Sequence, residues 1–180
     1  IGIASNYNFL GEGEKARLTL QLLKDNALNY INVRQAINAT AISYLFDGDI
    51  PSAIDQIKKN LLIALEHDDI GNISGDYALL GNFYLETKEY EKSLANFNRS
   101  IQAINESGYQ PGLVNNSQST HYFNLGKLYA AKGEFRRADQ AVAIVEEAAN
   151  IHKNPNQIAL SHQLQGIVAL HNKDYQEAIN

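Results

Sequence analysis

Leu80-Gly81-Asn82-Phe83-Tyr84-Leu85 runs into a polar break, Glu86-Thr87-Lys88-Glu89, and on into Tyr90-Glu91-Lys92-Ser93-Leu94-Ala95-Asn96-Phe97. Before the break, Tyr77, Leu80, Gly81, Tyr84 and Leu85 recur at helical spacing. After it, Tyr90, Leu94, Phe97, Ile101 and Ile104 do the same. The second run closes at Ser107-Gly108, where glycine can adopt the left-handed conformation that ends a helix. The stretch therefore predicts two helices joined by a tight turn, an αα-hairpin.

The pattern is copied along the chain. A small residue is followed three later by an aromatic or small one, nine later by Ile, Tyr or Phe, and twelve later by Ala or Ser. The copies are Ala41-Tyr44-Ile50-Ala53, Gly81-Tyr84-Tyr90-Ser93, Gly126-Tyr129-Phe135-Ala138 and Gly166-Ala169-Tyr175-Ala178, with anchors 40, 45 and 40 residues apart. Gly11-Glu12-Gly13-Glu14-Lys15-Ala16 reads as a fifth, degenerate copy. A period of this length means stacked helical repeats. The expected helices are 1–10, 14–24, 28–47, 51–66, 70–87, 89–106, 113–132, 134–151, 156–172 and 174–180, and no strand pattern occurs. They form one repeat domain, 1–180, with hairpins at about 1–27, 28–67, 68–110, 111–152 and 153–180. The five extra residues of the longer interval are expected in the joint 108–116, with its Pro111-Gly112 breaker.

The small anchors have a packing reason. Glycine inside a helix costs about 1 kcal/mol against alanine, so Gly81, Gly126 and Gly166 are expected where a neighbouring helix crosses too closely for a Cβ. Ala53, Ser93, Ala138 and Ala178 are the expected opposing contacts. Tyr84, Tyr90, Phe97, Tyr129 and Phe135 then fill the space between hairpins.

Composition narrows the function. The chain has 180 residues, 44% of them hydrophobic, and a formal net charge of −5, which argues against neutralising nucleic-acid phosphates. No apolar run is long enough for a membrane span. There is no Cys, which excludes disulfides, thiolate metal sites and thiol nucleophiles, and no Met. Both ends read as cuts through a longer array, so the compartment stays open between cytoplasm and bacterial envelope. Ends left short of cover, around Leu164, Ile167 and Ala178, are expected to self-associate. Asn-x-Ser/Thr triplets begin at Asn38, Asn72, Asn98, Asn105 and Asn115. In so Asn-rich a chain chance produces them, and Asn38 and Asn98 fall in expected helices.

Leu80-Gly81-x-x-Tyr84 with Tyr90, Ser93 and Phe97, and Leu125-Gly126-x-x-Tyr129 with Phe135 and Ala138, resemble the tetratricopeptide repeat (TPR), over about residues 28–180. The usual period is about 34 residues, the Trp of the pattern is absent, and Asn105 and Asn150 stand where Pro often closes the unit. The longer period is similar to that of kinesin light chains and bacterial peptide-pheromone sensors. The resemblance implies an all-α solenoid of antiparallel hairpins, a right-handed superhelix whose concave groove is lined by the first helix of each hairpin.

Little in the chain suggests chemistry. Of the five histidines, His67, His121, His152, His162 and His171, no two stand three or four apart, the spacing that puts two metal ligands on one helix face. His67-Asp68-Asp69 reads either as a metal cluster or as a joint whose Asp caps the next helix, and the second is favoured. Gly11-Glu12-Gly13 lacks the motif of a phosphate loop. Arg136-Arg137 reads as solvated helix surface. No enzyme activity, cofactor or metal is expected.

The groove is the expected site. Helix geometry directs residues one and five after each anchor, and three and six before it, away from the paired helix. That selects Gln35, Asn38, Ile42 and Phe46; then Gly75, Ala78, Asn82 and Glu86; then Thr120, Phe123, Lys127 and Ala131; then Leu160, Gln163, Ile167 and His171. Asn side chains can pair with a peptide backbone, and Phe46, Phe123 and Ile167 can supply apolar pockets. Ile42 and Ile167 read equally well as core, and Asn82 and Lys127 as solvated surface. Among family members that grip a C-terminal carboxylate, Asn82 and Asn124 match the Asn places, but Ala78, Leu160 and Leu164 replace the cations, so that ligand lacks its counter-charge. The expected function is a protein-interaction scaffold holding a peptide or protein segment. The alternative is a ligand-sensing domain of a larger regulatory protein.

Overall fold

The computed structural model describes residues 1–178, and side-chain detail for all of these except His152 and Glu177. Ten helices and no strand occur among the described residues: α1 (Gly2–Phe9), α2 (Gly13–Asp25), α3 (Tyr30–Phe46), α4 (Ile50–Glu66), α5 (Ile70–Glu86), α6 (Tyr90–Asn105), α7 (Pro111–Lys132), α8 (Phe135–His152), α9 (Pro155–His171) and α10 (Tyr175–Ala178). The end of the expected last helix, 179–180, lies outside the described residues. All five Asn-x-Ser/Thr triplets begin within helices. None of the described helices is long and apolar enough to cross a membrane.

The turns show why these residues make hairpins. Gly11, Gly48, Lys88, Gly133 and Lys173 each take a positive φ within the turn of one hairpin. In each, the next backbone N–H reaches back to the carbonyl five residues earlier: Glu12 to Tyr7, Asp49 to Tyr44, Glu89 to Tyr84, Glu134 to Tyr129 and Asp174 to Ala169, at 2.8–2.9 Å. This closes orphan carbonyls of the first helix. Three copies add a side-chain device. Glu12 pairs with Lys15, Glu89 with Lys92 and Glu134 with Arg137, one helical turn on. Each cation also lies over the aromatic ring that opens its turn: Lys15 over Tyr7 at 5.8 Å, Lys92 over Tyr84 at 5.3 Å and Arg137 over Tyr129 at 3.9 Å. The copy at α1–α2 thus keeps the turn device, with Ala4 and Ala16 buried at its small positions, and departs from the pattern at Gly13, where the others carry Ile, Tyr or Phe.

Several helices are capped at their start by short polar side chains, three at joints between hairpins and one, Asp49, in the turn within a hairpin. Asn29, Asp49, Asp69 and Asn154 accept from the backbone N–H groups of Asn32, Ser52, Asn72 and Asn156. Asp69 is the cap expected of His67-Asp68-Asp69, while His67 stacks on Tyr30 with ring centroids 3.9 Å apart. Pro51 stands in the first turn of α4. One expectation fails here. Pro111 does not break a loop but opens α7, because a first-turn residue needs no N–H. Most of the extra length of this repeat therefore goes into helix: α7 has 22 residues against 17 in α3, α5 and α9.

Backbone packing divides the chain into two compact units, Ile1–Phe83 and Tyr84–Asn180. In the first, α1, α2, α3 and α4 pack in sequence, and α1 also touches α3. Its core includes Ala16, Leu20, Ile37, Ile57 and Ala64. A buried ion pair, Arg34–Asp76, ties α3 to α5 with Nη1 to Oδ2 at 2.9 Å. In the second unit, α6 to α10 pack in sequence and α7 also packs against α9. Phe97, Leu128, Val145 and Leu164 are its most buried large side chains, with Tyr129 beside them and Tyr90 packed at the edge. Ala53, Ser93 and Ala138 are fully buried, as expected of helix-crossing contacts.

The glycine anchors differ from one another. A Cβ on Gly126 would meet both methyls of Leu164 at 2.8 and 2.9 Å and Ala141 Cβ at 3.3 Å. On Gly166 it would meet, among the described residues, only the Ala178 carbonyl oxygen, at 3.5 Å, an ordinary contact. Close crossing therefore explains Gly126 and not Gly166. Gly166→Ala is expected to stabilise the second unit by about 0.5–1 kcal/mol through helix propensity. A thermal melt checks this, and a lowered midpoint would mean that α9 is crossed more tightly than its geometry says.

His121 on α7 introduces a pH dependence. Its Nδ1 is buried without a hydrogen-bond partner among the described residues. Burial pushes the imidazole below the ordinary histidine value, against a hydrogen bond to the Phe97 backbone that raises it. With the folded pKa depressed, the unfolded chain takes up the proton first. Its contribution is fully present above about pH 6.5 and is lost as pH falls towards the folded value, with a limiting slope of about 1.4 kcal/mol per pH unit. Urea unfolding at neutral and mildly acidic pH should show a smaller acid loss in His121→Gln than in the parent. Equal losses would remove His121 as the cause.

Candidate functional site

The expected groove side chains divide into three groups. On the first unit, Asn38 is half-buried, while Ile42 and Phe46 are 52% and 49% exposed. Ile42 is thus surface rather than core. Phe46 packs edge-on against Phe9 of α1, with centroids 5.3 Å apart and rings at 85°. Phe9 is 77% exposed, and the sequence does not single it out because α1 carries too faint a pattern to register its face. The two rings and Ile42 belong to the neighbouring first helices α1 and α3. Gln35 is exposed, as is Gly75. Asn82 is half-buried and its Nδ2 donates to the Ala78 carbonyl of its own helix at 2.9 Å.

In the second unit, Glu86, Lys127, Ala131, Ile167 and His171 converge on one open cavity of about 460 Å³. These are the residues one and five after the anchors, carried by α5, α7 and α9. Leu85, Lys88 and Tyr90 complete the lining. The sequence pattern assigns these three to packing or to the turn; their place beside Glu86 at the hairpin end is the signal that finds them. The Tyr90 hydroxyl donates to the Ala131 carbonyl at 3.3 Å, which fixes the ring as a wall. Ile167 does two jobs: it packs against the core cluster and lines the cavity.

Phe123 corrects the expectation. It is 8% exposed and belongs to the core, so it offers no pocket. Lys127 stands four residues on, one turn above it on the same face. Its amine lies 5.5 Å from the Phe123 ring centroid. Burial pushes the Lys127 amine below the ordinary lysine value, and Glu86 acts in the opposite sense. Thr120 and Gln163 are exposed and Leu160 half-buried, and none of the three lines this cavity. Among the described residues, no group of three or more His, Asp or Glu side chains is placed to hold a metal ion.

No family model matches the chain, and no curated protein does. Solved structures do. A Podosopora anserina putative kinesin light chain with nearly identical TPR-like repeats aligns over 99% of this chain and 87% of its own, at 16% identity and a TM-score of 0.65. BtubC (BKLC) from P. vanneervenii aligns over 98% and 72%, at 18% identity and a TM-score of 0.67. MamA aligns over 99% and 90%, at 19% identity and a TM-score of 0.56. At such identities the likeness concerns the fold: an all-α solenoid of TPR-like helix hairpins.

Proposed function

We propose that this TPR-like array is a non-catalytic protein-interaction scaffold that holds a peptide or protein segment in the groove of its first helices. The observation that carries the reading is the convergence of Glu86, Lys127, Ala131, Ile167 and His171 on one open cavity. Side chains from three separate repeats meet there, with apolar walls and a charged rim. That suits an extended or helical segment, whose side chains enter successive pockets while polar groups fix its direction. Gln163 is proposed as a further contact residue on the second unit; Asn38, Ile42, Phe46 and Asn82 are proposed as contact residues of the first unit's own surface. A net charge of −5 supports a protein partner over nucleic acid. Leu164 is fully buried and Ile167 and Ala178 are half-buried, so these three do not supply the exposed surface expected to drive self-association.

The cavity's volume favours one second reading. About 460 Å³ falls in the range of small-ligand sites, roughly 300–1,000 Å³, so a sensor of a peptide or metabolite is the alternative. Selection of a random-peptide display library on the chain separates the two. The scaffold reading expects selected peptides to weaken on Ile167→Ala and to protect His171 in the complex. Peptides that bind indifferently to Ile167→Ala would remove this cavity from the reading. A metabolite that raises the melting temperature while no peptide is selected would favour sensing.

A further inference from the structure

Charge at the second-unit cavity runs against charge in the chain. The protein carries −5 overall, yet among the described residues the charged lining of this cavity is Lys88 and Lys127 against Glu86. Between and beneath them lie Leu85, Tyr90, Ala131 and Ile167. A concave site with low-dielectric walls focuses the field of its rim charges, which matter more there than on open surface. Lys127 is the deeper of the two lysines: it is half-buried where Lys88 is exposed, and its amine lies 5.5 Å from the Phe123 ring centroid. An amine in that setting gains from an arriving anion more than a solvated one does, because part of its water is already gone. The apolar wall adds a second requirement. A free inorganic anion would leave Ile167 and Tyr90 uncovered, whereas a chain with alternating side chains covers them.

We infer that the segment held in this cavity presents an aspartate or glutamate side chain between Lys88 and Lys127, flanked by an apolar residue on the Ile167–Tyr90 wall. The inference rests on the scaffold reading and supplies the chemistry of its partner. Glu86 acts as the discriminator. It repels the arriving carboxylate, most of all one that strays towards it, so it weakens acidic binding somewhat and holds the acidic residue at the lysines.

The experiment uses peptides selected from a random display library on the full chain, then synthetic pairs in which each Asp or Glu is replaced by Asn or Gln. Fluorescence anisotropy reads the affinities. The acidic member of a pair is expected to bind about tenfold tighter, and rising salt to narrow the gap. Lys127→Gln combined with Lys88→Gln should abolish the gap while retaining the amide peptide's affinity. Glu86→Gln should tighten acidic peptides; circular dichroism establishes that each variant is folded. Equal binding of acid and amide members, or a gap that survives the lysine replacements, overturns the inference and leaves the scaffold reading standing. Tightening that fails in Glu86→Gln overturns the register role. If no peptide is selected, both fall together.

Discussion

Asp76→Ala is expected to destabilise the first unit by about 3–5 kcal/mol. Arg34 and Asp76 are 3% and 4% exposed. The guanidinium makes two parallel bonds, Nη1 to Oδ2 at 2.9 Å and Nη2 to Oδ1 at 3.2 Å. Nη1 also donates to the Asn60 carbonyl, and the Asn60 amide returns a bond to the Arg34 carbonyl at 3.2 Å. Burial pushes the Asp76 carboxyl up while the Arg34 guanidinium draws it down. An arginine cannot escape by losing its proton. Removing the carboxylate therefore leaves a full charge in the interior between α3, α4 and α5. Whole domains are stable by only about 5–15 kcal/mol, so the loss would unfold much of the unit at moderate urea. The control is Arg34→Leu with Asp76→Leu, which removes both charges and is expected to lie near the parent or above it. If Asp76→Ala unfolds at the parent's urea midpoint, the pair is solvated and the packing of Arg34 has been misjudged.

Gly126→Leu should cost the second unit about 3 kcal/mol or more through overpacking. Even the first atom of the new side chain would stand 2.8 Å from a Leu164 methyl and 3.3 Å from Ala141 Cβ. Leu164 is fully buried, so it cannot swing into water; it must displace core neighbours. Ala141 can yield only if α8 moves. Gly126→Ala is the informative intermediate, since helix propensity returns about 1 kcal/mol against the clash. The expected order in a thermal melt is parent, then Gly126→Ala, then Gly126→Leu, with Gly166→Ala above the parent. Gly126→Leu melting with the parent would show that α7, α8 and α9 do not meet at this point.

The hairpins are legible because their information is local. A polar break after an aromatic position, a glycine or lysine forced to positive φ, and an acid one turn before a base all lie within about ten residues. The degenerate look of Gly11–Ala16 comes from its apolar letters; the turn device of Tyr7, Gly11, Glu12 and Lys15 places it in the series. The candidate site is half legible. Glu86, Lys127, Ala131, Ile167 and His171, counted from their anchors, reach the cavity, but counting along a helix cannot say that the Lys127 amine lies over the Phe123 ring, or that Tyr90 lines the same space.

Sequence alone determined the helical hairpin and its repetition, because periodicity and turn chemistry act between near neighbours. Tertiary structure alone decided which glycine is crossed by another helix, which aromatic is core and which is surface, and that Arg34 finds Asp76 from 42 residues away. Those outcomes depend on the distance and angle between helices set by every side chain at the crossing, and a repeat pattern written in similar letters does not carry them.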